Sequence, residues 1–248
     1  KNIQGIKNFI EIKYIEEQKR SLDQEKRLWN SLPGTQKEGE YIAQITNAKL
    51  LLGDEASSIN IQNTQSPKIL HIATHSFYMT NNSKDDIFAS ILFSGSETEN
   101  IKKLENPLLR SGIVLAGANN PDKNIYDDGY LTALEVSKLN WNNTELVVIS
   151  GCESGQGEIK AGEGVYGLKR AIAVAGARSS LLSLWEVDDR ATAEFMETFY
   201  KKLKNGEGRA DALAKTQKEF RRHSIQAWRH PYVWAAFQLS GDWRPINW

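Results

Sequence analysis

Leu146-Val147-Val148-Ile149-Ser150-Gly151-Cys152-Glu153-Ser154-Gly155 is the stretch on which the reading of the fold turns. Its aliphatic run is short, β-branched and without polar alternation, the pattern of a strand covered on both faces. Glycine and cysteine follow at once, so the strand delivers a thiol into a tight turn. Ile69-Leu70-His71-Ile72-Ala73-Thr74 repeats the arrangement and ends on His75-Ser76. A third run of the same kind extends from Ser179 to Trp185. Helical stretches separate these strands: Gly164 to Ala175 carries a Val165, Leu168, Ile172 stripe, and Ala191 to Leu203 is closed by Asn205-Gly206. The alternation predicts an α/β fold with a mostly parallel central sheet flanked by helices.

Toward the N-terminus, Ile3, Ile6 and Ile10 have helical spacing, and a helix is expected within residues 1–32. Leu32-Pro33-Gly34-Thr35 ends it and opens a new folding unit. Thr35 and Glu38 have the form of a capping box for a helix over 36–46. Lys49-Leu50-Leu51-Leu52 reads as a short strand, followed by a turn into a helix. Residues 77–130 are looser, with short strands at Ile91 to Phe93 and Gly112 to Leu115 among surface insertions. Near the C-terminus, alternating Val233, Ala235, Phe237 and Leu239 predict a final strand. The division is a helical segment or linker over 1–31 and one folded domain over 32–248. The opening Lys1 suggests a piece of a larger protein.

Composition excludes several function classes. The 248 residues carry 31 Lys+Arg against 31 Asp+Glu, so no basic excess draws the chain to nucleic acid or to an anionic membrane surface. No apolar run approaches the roughly 18 residues of a spanning helix. Cys152 is the one cysteine, which rules out an internal disulfide and a Cys-rich zinc cluster and predicts a reducing, cytoplasmic setting. Neither a metal nor an organic cofactor is expected.

Ligands of open α/β sheets collect beyond the carboxyl ends of the strands. His75 and Cys152 stand at two such ends. A thiol with an ordinary pKa of about 8.5 is mostly protonated at neutral pH, and an adjacent imidazole takes its proton. The thiolate then attacks a carbonyl carbon and the imidazolium protonates the leaving amine. Around Ser76 and Gly151 the backbone is free to approach a substrate, with the N–H groups of Ser76 and Cys152 facing the oxyanion. Against this stands the usual fate of a lone cysteine behind a strand, which is inert burial in the core. His71 lies inside its apolar run and reads as a satisfied core histidine, while His223 and His230 have no partner that the sequence names.

Six segments together resemble the CHAT domain, the caspase-like peptidase module associated with tetratricopeptide repeats. They are Leu32-Pro-Gly-Thr35, His71-Ile-Ala-Thr-His75, Asp128-Gly-Tyr-Leu-Thr-Ala-Leu-Glu135, Leu146 to Gly155, Gly162-Glu-Gly-Val-Tyr-Gly-Leu-Lys-Arg-Ala171 and Ala175 to Trp185. The resemblance implies a caspase-like three-layer sandwich and a cysteine endopeptidase with His75 and Cys152 as its dyad. It also implies a protein or peptide substrate and a regulatory protein partner acting through an upstream helical-repeat region. Where the family usually has Gly after the dyad histidine, this chain has Ser76. Separases of the same clan cut after Arg and carry a Leu-Trp-x-Val-x-Asp segment near their substrate pocket, similar to Leu184-Trp-Glu-Val-Asp-Asp189 here. Asp189 or Asp188 would then pair with a P1 guanidinium. An Asp at a helix start is also an ordinary N-cap, so one of the two is expected to cap. Asp54 is a lesser candidate for the same pocket.

Gly162-Glu-Gly-Val-Tyr-Gly167 spells G-x-G-x-x-G, but a dinucleotide fingerprint follows its strand directly, and Ser150 lies well upstream. A loop leading into a packed helix is the expected role. The rival to a peptidase is a catalytically inactive module of the same fold, used as a protein-interaction scaffold.

Overall fold

The computed structural model describes residues 28–78, 107–120, 127–151 and 161–248. Cys152, the helix expected before Leu28 and the strand expected at Ile91 to Phe93 lie outside the described residues.

Strands β1 (Ile69–Ile72), β5 (Leu146–Ile149), β6 (Ser179–Ser183) and β7 (Phe237–Gly241) form a four-stranded sheet in the order β1-β5-β6-β7. The first three are mutually parallel, and β7 closes the edge antiparallel to β6. A smaller antiparallel sheet joins β2 (Ser76–Tyr78), β3 (Ser111–Val114) and β4 (Tyr130–Thr132). It grows directly out of the end of β1, with His75 at the junction.

The central strand β5 shows why its run is continuously apolar. Leu146 and Val148 point into a core shared with helices α1 (Pro33–Thr46), α5 (Asp189–Lys204) and α6 (Arg209–Phe220). Val147 and Ile149 point the other way, toward Leu168, Ala171 and Ile172 of α4 (Ala161–Val174) and toward the small sheet. Strand side chains alternate in direction, so a strand buried on both faces needs an apolar residue at every position. The result is three layers, with the sheet in the middle. On α5 the buried set Ala191, Phe195, Met196, Phe199, Tyr200 and Leu203 repeats at helical spacing. Each such large apolar side chain contributes about 1.5–3 kcal/mol by leaving water.

The short helices α2 (Ser58–Asn63), α3 (Ala133–Val136) and α7 (Pro231–Trp234) fill the remaining connections. Several expectations need correction. Residues 28–32 have no regular secondary structure and are not helical. Lys49 to Leu52 is irregular chain and pairs with no strand among the described residues. Thr35 and Glu38 form no capping box: Leu32 is the N-cap of α1 with Pro33 behind it, and the Glu38 carboxylate is buried against His71. A capping box forms instead between Thr132 and Glu135 at the start of α3. Val233 belongs to α7, and the last strand begins only at Phe237. Gly162, Gly164 and Gly167 lie within α4, not in a loop before it. Helix α6 fills the stretch between the two C-terminal motifs that carried no reading.

Two contacts fix the ends of the sheet. At one end, Arg209 of α6 has a fully buried side chain that pairs with Glu145, just before β5, and donates to the Asp242 carbonyl at 3.3 Å, just after β7. At the other end, Ser150 N–H donates to Ile72 O at 3.1 Å, and Gly151 comes so close to β1 that a Cβ would sit 1.0 Å from the Thr74 carbonyl oxygen. Two outcomes follow for equilibrium urea unfolding. Arg209→Ala, which opens a buried hole and takes from Glu145 and Asp242 one of the two arginines each is paired with, should lose about 1–3 kcal/mol. Gly151→Ala forces the two strand ends apart and should fall in the exceptional class of about 4 kcal/mol or more. A loss under about 1 kcal/mol for Gly151→Ala would contradict the close approach.

Candidate active site

The parallel register sets the site. Ile72 is the Cα partner of Ile149. His75 is the third residue after the first of these and Cys152, outside the described residues, is numbered three after the second, which leaves Thr74 and Gly151 as the last described positions at one level. Gly151, packed on Thr74, keeps the strand ends together at that level. The Thr74 hydroxyl donates to Val114 O at 2.6 Å and the Val114 N–H donates to His75 O at 2.9 Å, which locks the backbone of β1 to β3. That second bond makes 75 and 114 a hydrogen-bonded pair of the antiparallel ladder. Ser76, opposite Ile113, then falls in a non-hydrogen-bonded pair and its N–H points away from β3.

The His75 ring is partly exposed and held on two sides. Its Nε2 lies 2.8 Å from the carbonyl oxygen of Asn30. A carbonyl only accepts, so Nε2 carries the proton and Nδ1 is the ring nitrogen left to act as a base. Trp29 packs on the imidazole at 5.4 Å between centroids, tilted by 38°. Sequence reasoning missed both partners, since an irregular segment before a helix carries no periodic signal.

Asp188 and Asp189 divide their work. Asp188 is the N-cap of α5, its Oδ1 accepting from Ala191 N–H at 2.9 Å. Asp189 accepts from the Gly34 N–H at the start of α1. Burial raises the Asp189 carboxyl above its ordinary 3.8; the Gly34 N–H works against this by favouring the charged form. The charges of Glu38 and Asp188 add to the rise, and the His75 charge opposes it. Asp189 therefore lies within electrostatic reach of His75. Asp54 is exposed in a 3-10 turn over Gly53–Glu55 with no strand ahead of it.

His71 is a satisfied core histidine. Its Nε2 donates to Glu38 Oε1 at 2.7 Å, and its Nδ1 lies 3.1 Å from the Tyr200 hydroxyl, which donates to it in that tautomer. Burial holds the Tyr200 phenol well above 10.0, helped by the Glu38 charge. His223 pairs with Glu194 at 2.7 Å and stacks on Phe220, and His230 caps α7 by accepting from Tyr232 N–H. Neither is part of the strand-end site. A cleft lined by Arg178, Asp242, Trp243 and Arg244 lies at the opposite end of β6, where Arg244 pairs with Asp242 and Arg178 with Glu145. Among the described residues, no group of three His, Cys, Asp or Glu side chains could hold a metal ion. No helix among them is long and apolar enough to cross a membrane.

Comparison with known proteins places the chain in a family. Tetratricopeptide repeat protein 28 of Homo sapiens is 29% identical over 227 residues, and that of Mus musculus 26% identical over 228 residues. In each case the match covers 89% of this chain and 9% of the relative, so the chain spans only a small part of the length of the curated relatives it matches. The CHAT domain matches residues 14–242, which is most of the chain. With that coverage, and with a mostly parallel sheet between helical layers, the chain belongs to the CHAT domain family of caspase-like peptidases.

Proposed function

We propose that this domain is a cysteine endopeptidase that cleaves protein substrates after a basic residue, Arg above Lys. What supports the reading is the pairing of β1 with β5, continued by the packing of Gly151, the residue before Cys152, on Thr74, the residue before His75, while the Nε2 of His75 is turned to Asn30. Cys152 Sγ gives its proton to Nδ1 and attacks the scissile carbonyl carbon. The N–H groups of Ser76 and Cys152, on backbone that Gly151 keeps narrow, receive the oxyanion. The imidazolium returns its proton to the leaving amine, which departs and leaves a thioester. Water, deprotonated by the same nitrogen, hydrolyses that thioester and restores the thiol. No step needs a metal or an organic cofactor.

Asp189 is the proposed P1 partner. One of its oxygens accepts from Gly34, and the other lone pairs are left for a guanidinium. Asp188, engaged as a cap, adds negative charge beside it. The second part of the proposal is regulation by a protein partner through an upstream helical-repeat region, and it draws on the relatives, whose name denotes tetratricopeptide repeats. The described chain reaches the site through Trp29 and Asn30, so a partner acting on the residues before Leu28 would reach His75 through one peptide carbonyl.

A peptide-library digest of wild type, Cys152→Ala and His75→Ala tests the chemistry. Wild type should cut after Arg and Lys, Cys152→Ala should not cut, and His75→Ala should lose about 10²–10⁴-fold in kcat/KM. Absence of cutting by wild type, with folding intact, would leave a scaffold module instead. The pocket has its own pH signature. Only ionised Asp189 pairs with a guanidinium, and its pKa is raised, so KM for Arg peptides should climb as pH falls through a value above 3.8. Asp189→Asn should raise KM at neutral pH and abolish that acid limb. An unchanged limb in the variant would put the P1 pocket elsewhere.

A further inference from the structure

The segment ahead of α1 has no regular secondary structure, yet Trp29 is only 8% exposed. Side chains of the small antiparallel sheet and of the turn after β3 hold it in position. Trp29 N–H donates to Asn119 Oδ1 at 2.8 Å, and Asn119 Nδ2 donates back to Trp29 O at 2.9 Å. One amide side chain thus engages both backbone groups of one residue, as a neighbouring strand would. The indole Nε1–H donates to the Tyr130 hydroxyl at 3.0 Å, with the two rings edge-on at 6.5 Å. Asn119 lies in the turn that follows β3, and Tyr130 opens β4. Beyond this clamp the next carbonyl, that of Asn30, is the one that accepts from His75 Nε2.

We infer that Asn119 and Trp29 are positioning residues for His75: the Asn119 amide holds the Trp29 backbone so that the Asn30 carbonyl meets Nε2, while the indole ring backs the imidazole. The device works by geometry. An exposed carbonyl on an irregular segment has many orientations, and each bond from Asn119 and Tyr130 removes some of them. With the carbonyl fixed, the proton stays on Nε2 and Nδ1 keeps one direction. Without it, the imidazole turns and exchanges its Nε2–H with water. The catalytic consequence rests on the peptidase reading above, whereas the hydrogen-bond geometry does not.

The test separates the two. Imidazole nitrogen NMR on the ¹⁵N-His-labelled full chain should show, in wild type, a His75 Nε2–H protected from solvent exchange. In Asn119→Ala that signal should broaden or vanish through exchange, while the His71 signal, held by Glu38, stays unchanged as an internal control of folding. Asn119→Asp keeps the acceptor for Trp29 N–H and loses the donor, so it should fall between the two and serves if the alanine variant does not fold. In peptide cleavage, Asn119→Ala should lower kcat by about 10–100-fold with KM nearly constant, the size expected for misplacing a reacting group. A His75 Nε2–H equally protected in wild type and both variants would overturn the proposal, whatever the turnover. Loss of protection in the variants, in a wild type that cleaves nothing, would uphold the clamp and remove the peptidase reading alone.

Discussion

The backbone at Gly151 touches the backbone at Thr74, and the rest of the site depends on that contact. Any Cβ there would overlap the Thr74 carbonyl. Parallel strands normally diverge where their loops begin. Here β1 and β5 stay together for two residues past their last paired position, to Thr74 and Gly151. The small sheet completes the constraint from the other side, because β3 takes hold of the chain at His75 O and Thr74 Oγ1 before it can turn away.

Helix α1 and the five residues before it connect features that are far apart in the sequence. Asn30 meets His75, Gly34 meets Asp189, and Glu38 meets His71. Gly34 has no room for a side chain, since a Cβ would lie 2.6 Å from the Asp189 carboxyl carbon. Buried face and polar contacts coincide along one helical stripe of Gly34, Glu38 and Ile42. A shift of this helix would therefore be felt at His75 and at Asp189 together. The Glu38–His71–Tyr200 chain stakes α1 to β1 and α5, since an unpaired carboxylate in that core would cost about 1–3 kcal/mol or more.

Much of this architecture was legible in the sequence. Strand β5 has an unbroken apolar run because both its faces are covered, β1 and β6 carry shorter apolar runs interrupted by His71 and by serines, and α4 and α5 announce themselves by their stripes. Residues at the strand ends could be named because an open sheet gathers chemistry there. Other parts were not legible, each for a physical reason. Lys49 to Leu52 has the composition of a strand, but strand identity is conferred by a partner and none of the described strands pairs with it. Thr35-x-x-Glu38 and Thr132-x-x-Glu135 share one pattern; the second is solvated enough to cap its own helix, whereas the first surrenders its carboxylate to a buried histidine. Trp29, Asn30 and Asn119 carry no periodicity at all, and their roles arise only when distant loops meet.

The account stands on a proton shared between His75 and Cys152, and thiol alkylation reads that proton directly. Pseudo-first-order rates of iodoacetamide modification, measured against pH for wild type and His75→Ala, give the apparent thiol pKa in each. The account predicts a wild-type midpoint well below the ordinary value of about 8.5, moving back toward it in His75→Ala with slower reaction near pH 6. Superimposable profiles for the two proteins, both with midpoints near about 8.5 or above, would contradict it.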